Sequence, residues 1–67
     1  MKVESVTIFM KAEGKHCISA TDGIRGFSDV HYIVRDGMAT VNYQDDKGHR
    51  QGRSVPIADI DHVVTIL

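Results

Sequence analysis

An Asp-Gly pair at positions 36 and 37 stands between two runs of strand-forming residues, 30–35 and 38–43. Asp-Gly suits a two-residue type I′ turn, because both central residues of that turn need a positive φ. Such a turn fixes the hairpin register, and one face of the hairpin then becomes wholly apolar. The opposed residues on that face are Val34/Ala39, Tyr32/Val41 and Val30/Tyr43. Turn chemistry and apolar pattern agree, so the chain is predicted to be a β protein.

Upstream of this hairpin, the pattern predicts two more strands and an irregular loop. They are a strand at Val3–Lys11, a turn around Gly14, a weaker strand at Lys15–Ala20 and a loop at Thr21–Asp29. Apolar and polar residues alternate along the first strand, with Phe9 as an aromatic on the otherwise polar face. Glycines punctuate the loop and disfavour a long helix, and Phe27 is expected to anchor it.

Downstream of the hairpin, Asp45 to Gly48 predicts a second turn, with Gly48 in the left-handed region. The strand that follows, His49–Val55, has two possible registers. Either Arg53 or Gly52 lies beside Val41, and we favour Gly52 because glycine inside a strand often marks a bulge or bend.

The C-terminal part of the sequence predicts the end of the fifth strand, then a helical turn and a last strand. Pro56 lacks an N–H and ends the ladder, and the apolar spacing in 57–60 suits one 3₁₀ turn. Val63–Leu67 is apolar on both faces, so we expect this last strand to be buried on two sides.

These elements predict one all-β, mainly antiparallel domain over residues 1–67. The expected fold is a small, strongly bent barrel or rolled sheet of five to six strands, with one 3₁₀ turn before the last strand. The element order resembles that of the small Sm-like barrels, a likeness of fold that implies little about function. A core this small favours self-association as added support, because the single cysteine cannot form an internal disulfide.

The residues that could carry chemistry do not form a recognisable motif. The four histidines (His16, His31, His49 and His62) are dispersed and lack the spacing of a metal site. Cys17 is adjacent to His16, but neighbours on a strand point to opposite faces. We therefore expect no metal, no cofactor and no enzymatic activity. The single thiol and the absence of a leader or membrane-spanning segment indicate a cytoplasmic protein.

The basic residues suggest one alternative function, the binding of single-stranded nucleic acid. The residues that would form such a surface are Arg25, Tyr43, Arg50 and Arg53. The formal net charge of −1 argues against a dedicated duplex binder, which usually shows a basic excess.

The preferred hypothesis is a non-enzymatic protein that acts by protein–protein binding, as a regulator, adaptor or occluding inhibitor. We expect it to associate with itself as well. Phe9, Ile33 and Met38 lie on faces opposite the predicted core, where they are expected to form an exposed apolar patch, and Phe27 in the loop is a further candidate for partner binding.

Overall fold

The computed structural model describes residues 1–11 and 17–67, and these form strands joined by turns and one short 3₁₀ helix. The strands are β1 Ser5–Met10, β2 Cys17–Thr21, β3 Ser28–Arg35, β4 Met38–Gln44, β5 Arg50–Pro56 and β6 Ile60–Ile66. The 3₁₀ helix, Ile57–Asp59, directly precedes β6, which confirms both the all-β class and the predicted helical turn. The predicted turn around Gly14 and the start of the second strand, including His16, lie outside the described residues.

The strands form two antiparallel sheets of three strands each. The first sheet has the order β2-β1-β6, and the second sheet has the order β3-β4-β5. Among the described strands, no hydrogen-bonded ladder joins the two sheets into a closed barrel, so the predicted barrel closure is not confirmed. No helix in this part of the chain is long and apolar enough to cross a bilayer.

The central hairpin has the register that its turn predicts. Arg35 opposes Met38, and the pairing continues to His31 opposite Asn42. Asp36 and Gly37 have φ values of 54° and 75°, as a type I′ turn requires. The predicted one-to-one pair of Val30 with Tyr43 is wrong, because the register shifts between His31 and Ser28. Within this bulge Asp29 adopts a φ of 53°, which displaces the backbone from regular pairing.

The preferred register of the fifth strand is also wrong. Val41 opposes Arg53, and Gly52 opposes Asn42. The physical reason lies in the turn, where the Asp45 carboxylate accepts the N–H groups of Lys47 and His49, each at 2.9 Å. This fixes the loop length, with Gly48 at a φ of 79° as predicted.

The core lies between the two sheets and is built mainly of small and β-branched side chains. Its buried members are Val3, Val6, Ile8, Ala20, Val30, Ala39 and Val41. Because both sheets contribute, their inner faces pack against each other and their outer faces point in opposite directions. Burying a Val or Ile side chain contributes about 1.5–3 kcal/mol, so a few residues supply much of the stability.

The first segment of the chain joins both sheets. Residues 1–3 run along β3, where Val3 donates to the Val30 carbonyl and Tyr32 donates to the Met1 carbonyl, each at 2.9 Å. Glu4 then donates to the Ile66 carbonyl at 2.7 Å, and β1 begins at Ser5. The predicted single strand from Val3 is therefore divided at Glu4, between two different sheets.

The last strand is not buried on two sides as predicted. Val63 is half-buried on the inner face, whereas Val64 is 49% exposed and Ile66 is 55% exposed. The second sheet covers the inner face of β6 only, so the outer face of this strand points to solvent. An apolar pattern on both faces is consistent with burial on two sides, but such burial also requires a second layer packed on the outer face.

Replacing Ile8 with alanine tests the importance of the core. Ile8 is fully buried on the middle strand of the first sheet, opposite Ile18 and Val63. We expect Ile8→Ala to lower the free energy of unfolding by about 2–5 kcal/mol, measured by urea denaturation. Ile33→Ala, at a position that is 39% exposed, is the matched control and should cost far less. Equal losses would contradict the placement of the core.

Position 26 requires glycine for two reasons, its backbone conformation and the closeness of Asp46. Its φ is +75°, and an added Cβ would lie 2.6 Å from the Cβ of Asp46. Gly23 has a φ of +84° but no atom within 4 Å of such a Cβ. We expect Gly23→Ala to lower the free energy of unfolding by about 1 kcal/mol through backbone strain alone, and Gly26→Ala to lower it clearly more. Urea unfolding measures both values. Equal losses would mean that Asp46 does not restrict position 26.

Candidate functional site

The outer face of the first sheet carries an apolar strip. Its cross-strand rows are Cys17–Phe9–His62, Ser19–Thr7–Val64 and Thr21–Ser5–Ile66. Phe9, Val64 and Ile66 lie on one side of this face and are 36%, 49% and 55% exposed. We call these three residues the outer strip. Single exposed apolar residues are common, but three on adjoining rows of one face are a feature of contact surfaces.

An aromatic stack forms one end of the outer strip. The rings of Phe9 and His62 have centroids 4.4 Å apart and an interplanar angle of 13°. The Asp61 carboxylate lies 3.0 Å from His62 Nδ1 and helps to hold the imidazole in place. The stacked rings occupy the row next to that of Val64 on the same face of the sheet.

The four residues predicted to bind a partner do not form a single patch. Ile33 and Met38 lie on the outer face of the second sheet, where Met38 opposes Arg35 and Pro56. Phe9 lies on the outer face of the other sheet, which points the opposite way. Phe27 is half-buried and packs on Tyr43, with ring centroids 4.3 Å apart. Of the four, only Phe9 belongs to the outer strip.

A polar cluster lies at the bulge of β3 and is centred on Asp29. The Asp29 carboxylate lies 2.9 Å from Arg50 Nη1, 3.1 Å from His31 Nε2 and 3.6 Å from Lys2 Nζ. Arg50 Nη2 also donates to the backbone carbonyl of Asp29 at 2.8 Å and to the side-chain oxygen of Asn42. The guanidinium therefore holds the left-handed Asp29 in the bulge and joins β3, β4 and β5.

The pKa of Asp29 is lowered below its ordinary value of 3.8, chiefly by the hydrogen bond to His31. Partial desolvation opposes this effect, and the charges of Arg50, His31 and Lys2 support it. The pKa of Asp45 is lowered as well, first by its hydrogen bond to Gln51 and then by the backbone N–H of His49. Both carboxylates thus fix turns of the backbone in their ionised form.

The residues of the nucleic-acid hypothesis are distributed over different faces. Arg50 and Arg53 point to opposite sides of β5, and Arg50 is paired with Asp29. Arg53 shares the inner-face row of Val41, and the Tyr43 ring is covered on one side by Phe27. Arg25 is exposed in the loop after β2. The four side chains therefore do not form one continuous basic strip.

A shallow cleft lies between β2 and the loop that follows it. Its volume is about 170 Å³, and its lining includes Ala20, Ile24, Arg25 and Phe27. Arg25 contributes the one charged side chain of this lining and has a φ of 56°. Within residues 1–11 and 17–67, no group of three or more His, Cys, Asp or Glu side chains is placed to hold a metal ion.

Comparisons of this chain with protein-family models, curated proteins and solved structures found no match.

The sequence pattern missed Val64 and Ile66 as surface residues, although it singled out their strand as apolar on both faces. That double apolar pattern was the available signal, because in a sheet that is covered on one face it leaves the other apolar face in solvent. The Asp29 cluster was also missed. Its members are far apart in the sequence, and the bulge, the pairing of residues 1–3 with β3 and the pairing of β5 with β4 bring them together.

Asp29→Asn tests the ion cluster through the pH dependence of stability. Because the folded pKa lies below 3.8, the ionised carboxylate stabilises the fold above about pH 4. This contribution is lost as the pH falls from the unfolded value through the lower folded pKa. We expect the urea midpoint of the wild-type protein to fall more steeply between pH 5 and pH 2 than that of Asp29→Asn. Parallel pH profiles would contradict the assignment.

Proposed function

We propose that this protein is a non-enzymatic binding module that contacts a protein partner through the outer strip. The observation that carries the proposal is the row-by-row adjacency of Phe9, Val64 and Ile66 on one exposed face. Contact with a partner removes this apolar area from water, which is the main favourable term in protein association.

The position of the outer strip supports the proposal in a second way. β6 is an edge strand, and its segment 63–66 contains no charged residue, no proline and no glycine. Exposed edges in stable monomers are usually blunted by such residues, because free backbone groups pair readily with other chains. An apolar face and an unprotected edge on the same strand together favour a protein partner.

The expected role is that of a regulator, adaptor or occluding inhibitor, which acts by covering a surface of its partner. We also propose a cytoplasmic location, since Cys17 is an exposed free thiol of the kind that a reducing compartment preserves. Nucleic-acid binding is less well supported, because Arg50 is engaged by Asp29 and Arg53 points to the other face of β5.

Ile66→Asp tests the proposed surface. The immobilised variant and the wild-type protein are compared for the proteins that they retain from an extract of the cells that produce this chain. We expect Ile66→Asp to reduce the retained partner at least tenfold, because a charge on the outer strip must be desolvated in the contact. Circular dichroism checks that the variant keeps its strand content.

Ile33→Asp is the matched control, since Ile33 is similarly exposed but lies on the outer face of the second sheet. It should retain the partner at the wild-type level. The proposal fails if Ile66→Asp retains the same proteins in the same amounts, or if the control variant loses them equally.

A further inference from the structure

The backbone of β6 presents a short, well-defined hydrogen-bonding edge. Asp22 donates to the Glu4 carbonyl at 2.8 Å, so that carbonyl points toward β2. The Ser5 N–H belongs to the same peptide group as the Glu4 carbonyl and points the opposite way, toward β6. Backbone groups alternate in direction along a strand, so the N–H and C=O groups of Ser5, Thr7 and Phe9 all point toward β6. Their partners in β6 are Ile66, Val64 and His62, which therefore direct their N–H and C=O groups to β1.

The residues between these partners direct their backbone groups away from β1. Val63 and Thr65 thus present both N–H and C=O at the free edge of β6. The register shift opposite Phe9 and Met10 interrupts regular pairing at Asp61 and marks the end of this edge. In the part of the chain that the structure describes, no strand pairs with this side of β6.

This two-residue edge is complementary to itself. When a second copy is placed antiparallel about a two-fold axis, Val63 opposes Thr65 of the second copy and Thr65 opposes its Val63. The two pairs form four backbone hydrogen bonds, and each Val64 faces Val64 of the other copy in the intervening non-hydrogen-bonded pair. Ile66 of each copy then lies opposite His62 of the other, beside the Phe9–His62 stack.

Charge and edge chemistry favour a second copy over pairing with β5. The segment 63–66 is neutral, so the two-fold arrangement opposes no like charges within it. The free edge of β5, by contrast, carries Arg50 and Arg53 and ends at Pro56, features that disfavour strand addition.

We propose that two copies of this chain associate through antiparallel pairing of β6 with β6, which extends the first sheet to six strands across a two-fold axis. This inference rests on the proposed binding function and names a second copy as the partner of β6, whose free edge adjoins the outer strip. A seam of this length falls among weak, transient interfaces, which bury less than about 1,200 Å², so we expect a dimer with micromolar affinity.

Thr65→Pro tests the hydrogen-bonded seam. Proline removes the N–H that points to the free edge but no N–H that bonds to β1, so the first sheet is retained. Sedimentation of the wild-type protein should show the mass rising from 7.4 kDa to twice that value with concentration. We expect Thr65→Pro to weaken this association at least tenfold, while Thr65→Val, which keeps the N–H, stays close to wild type.

A cysteine placed at the two-fold axis tests the register and does not depend on the proline variant. Val64→Cys is made in a Cys17→Ser background and oxidised mildly. Cα atoms in a non-hydrogen-bonded pair are about 4.5 Å apart, which a disulfide can bridge. We expect a cross-linked dimer. Ile66→Cys is the matched control and should remain uncrosslinked, because the two introduced thiols would lie about 13 Å apart along the strands.

The outcomes separate this inference from the proposed function. A wild-type protein that stays at monomer mass at millimolar concentration, or a Val64→Cys variant that cross-links no better than Ile66→Cys, overturns the β6 dimer. If Ile66→Asp still abolishes retention of a different protein in that case, the binding function stands without the dimer. If retention is also unchanged, both proposals fail.

Discussion

The packing of two small inner faces against each other is the constraint on which this protein depends. Val6 and Ile8 from the first sheet meet Val30 and Val41 from the second, and each of the four is fully buried. A three-stranded sheet is stable in water only when it buries an apolar face against another element. The first segment strengthens this arrangement, because residues 1–3 pair with β3 and residues 5–10 pair with β2 and β6. One continuous stretch of chain thus holds both sheets in place.

The small size of this core determines what remains on the surface. A domain of 67 residues cannot cover all of its apolar strand faces, and β6 receives cover on its inner face only. The outer strip of Phe9, Val64 and Ile66 follows from that geometry. The free edge at Val63 and Thr65 lies on the same strand, so apolar area and unpaired backbone groups are available together. Their combination on one neutral segment is the physical basis of the proposed contact with a protein and, in particular, with a second copy.

The charged residues serve a different purpose in this fold. Asp29 and Asp45 each hold an irregular piece of backbone, the first in the bulge of β3 and the second in the turn before β5. Arg50, a candidate for nucleic-acid binding on sequence grounds, is engaged by the carboxylate and the carbonyl of Asp29. The positive charge of a guanidinium paired with a carboxylate attracts a nucleic acid less strongly than that of an unpaired guanidinium. Arg50 therefore serves mainly to stabilise the fold.

The sequence by itself determined the local features, because their causes are local. The Asp36-Gly37 turn, the hairpin register next to it, the left-handed Gly48 and the 3₁₀ turn at Ile57–Asp59 all follow from the conformations that a few adjacent residues allow. Only the tertiary structure decided which sheet faces are covered, and with that the exposure of Val64 and Ile66, since the apolar pattern of a strand does not show whether one or both of its faces are packed. The pairing of Arg53 with Val41 is set by the Asp45 turn, whose side-chain hydrogen bonds the strand pattern alone does not reveal. The tertiary structure also decided the bulge at Asp29, because Lys2 and Arg50 reach that carboxylate from distant parts of the chain and compete with local preference.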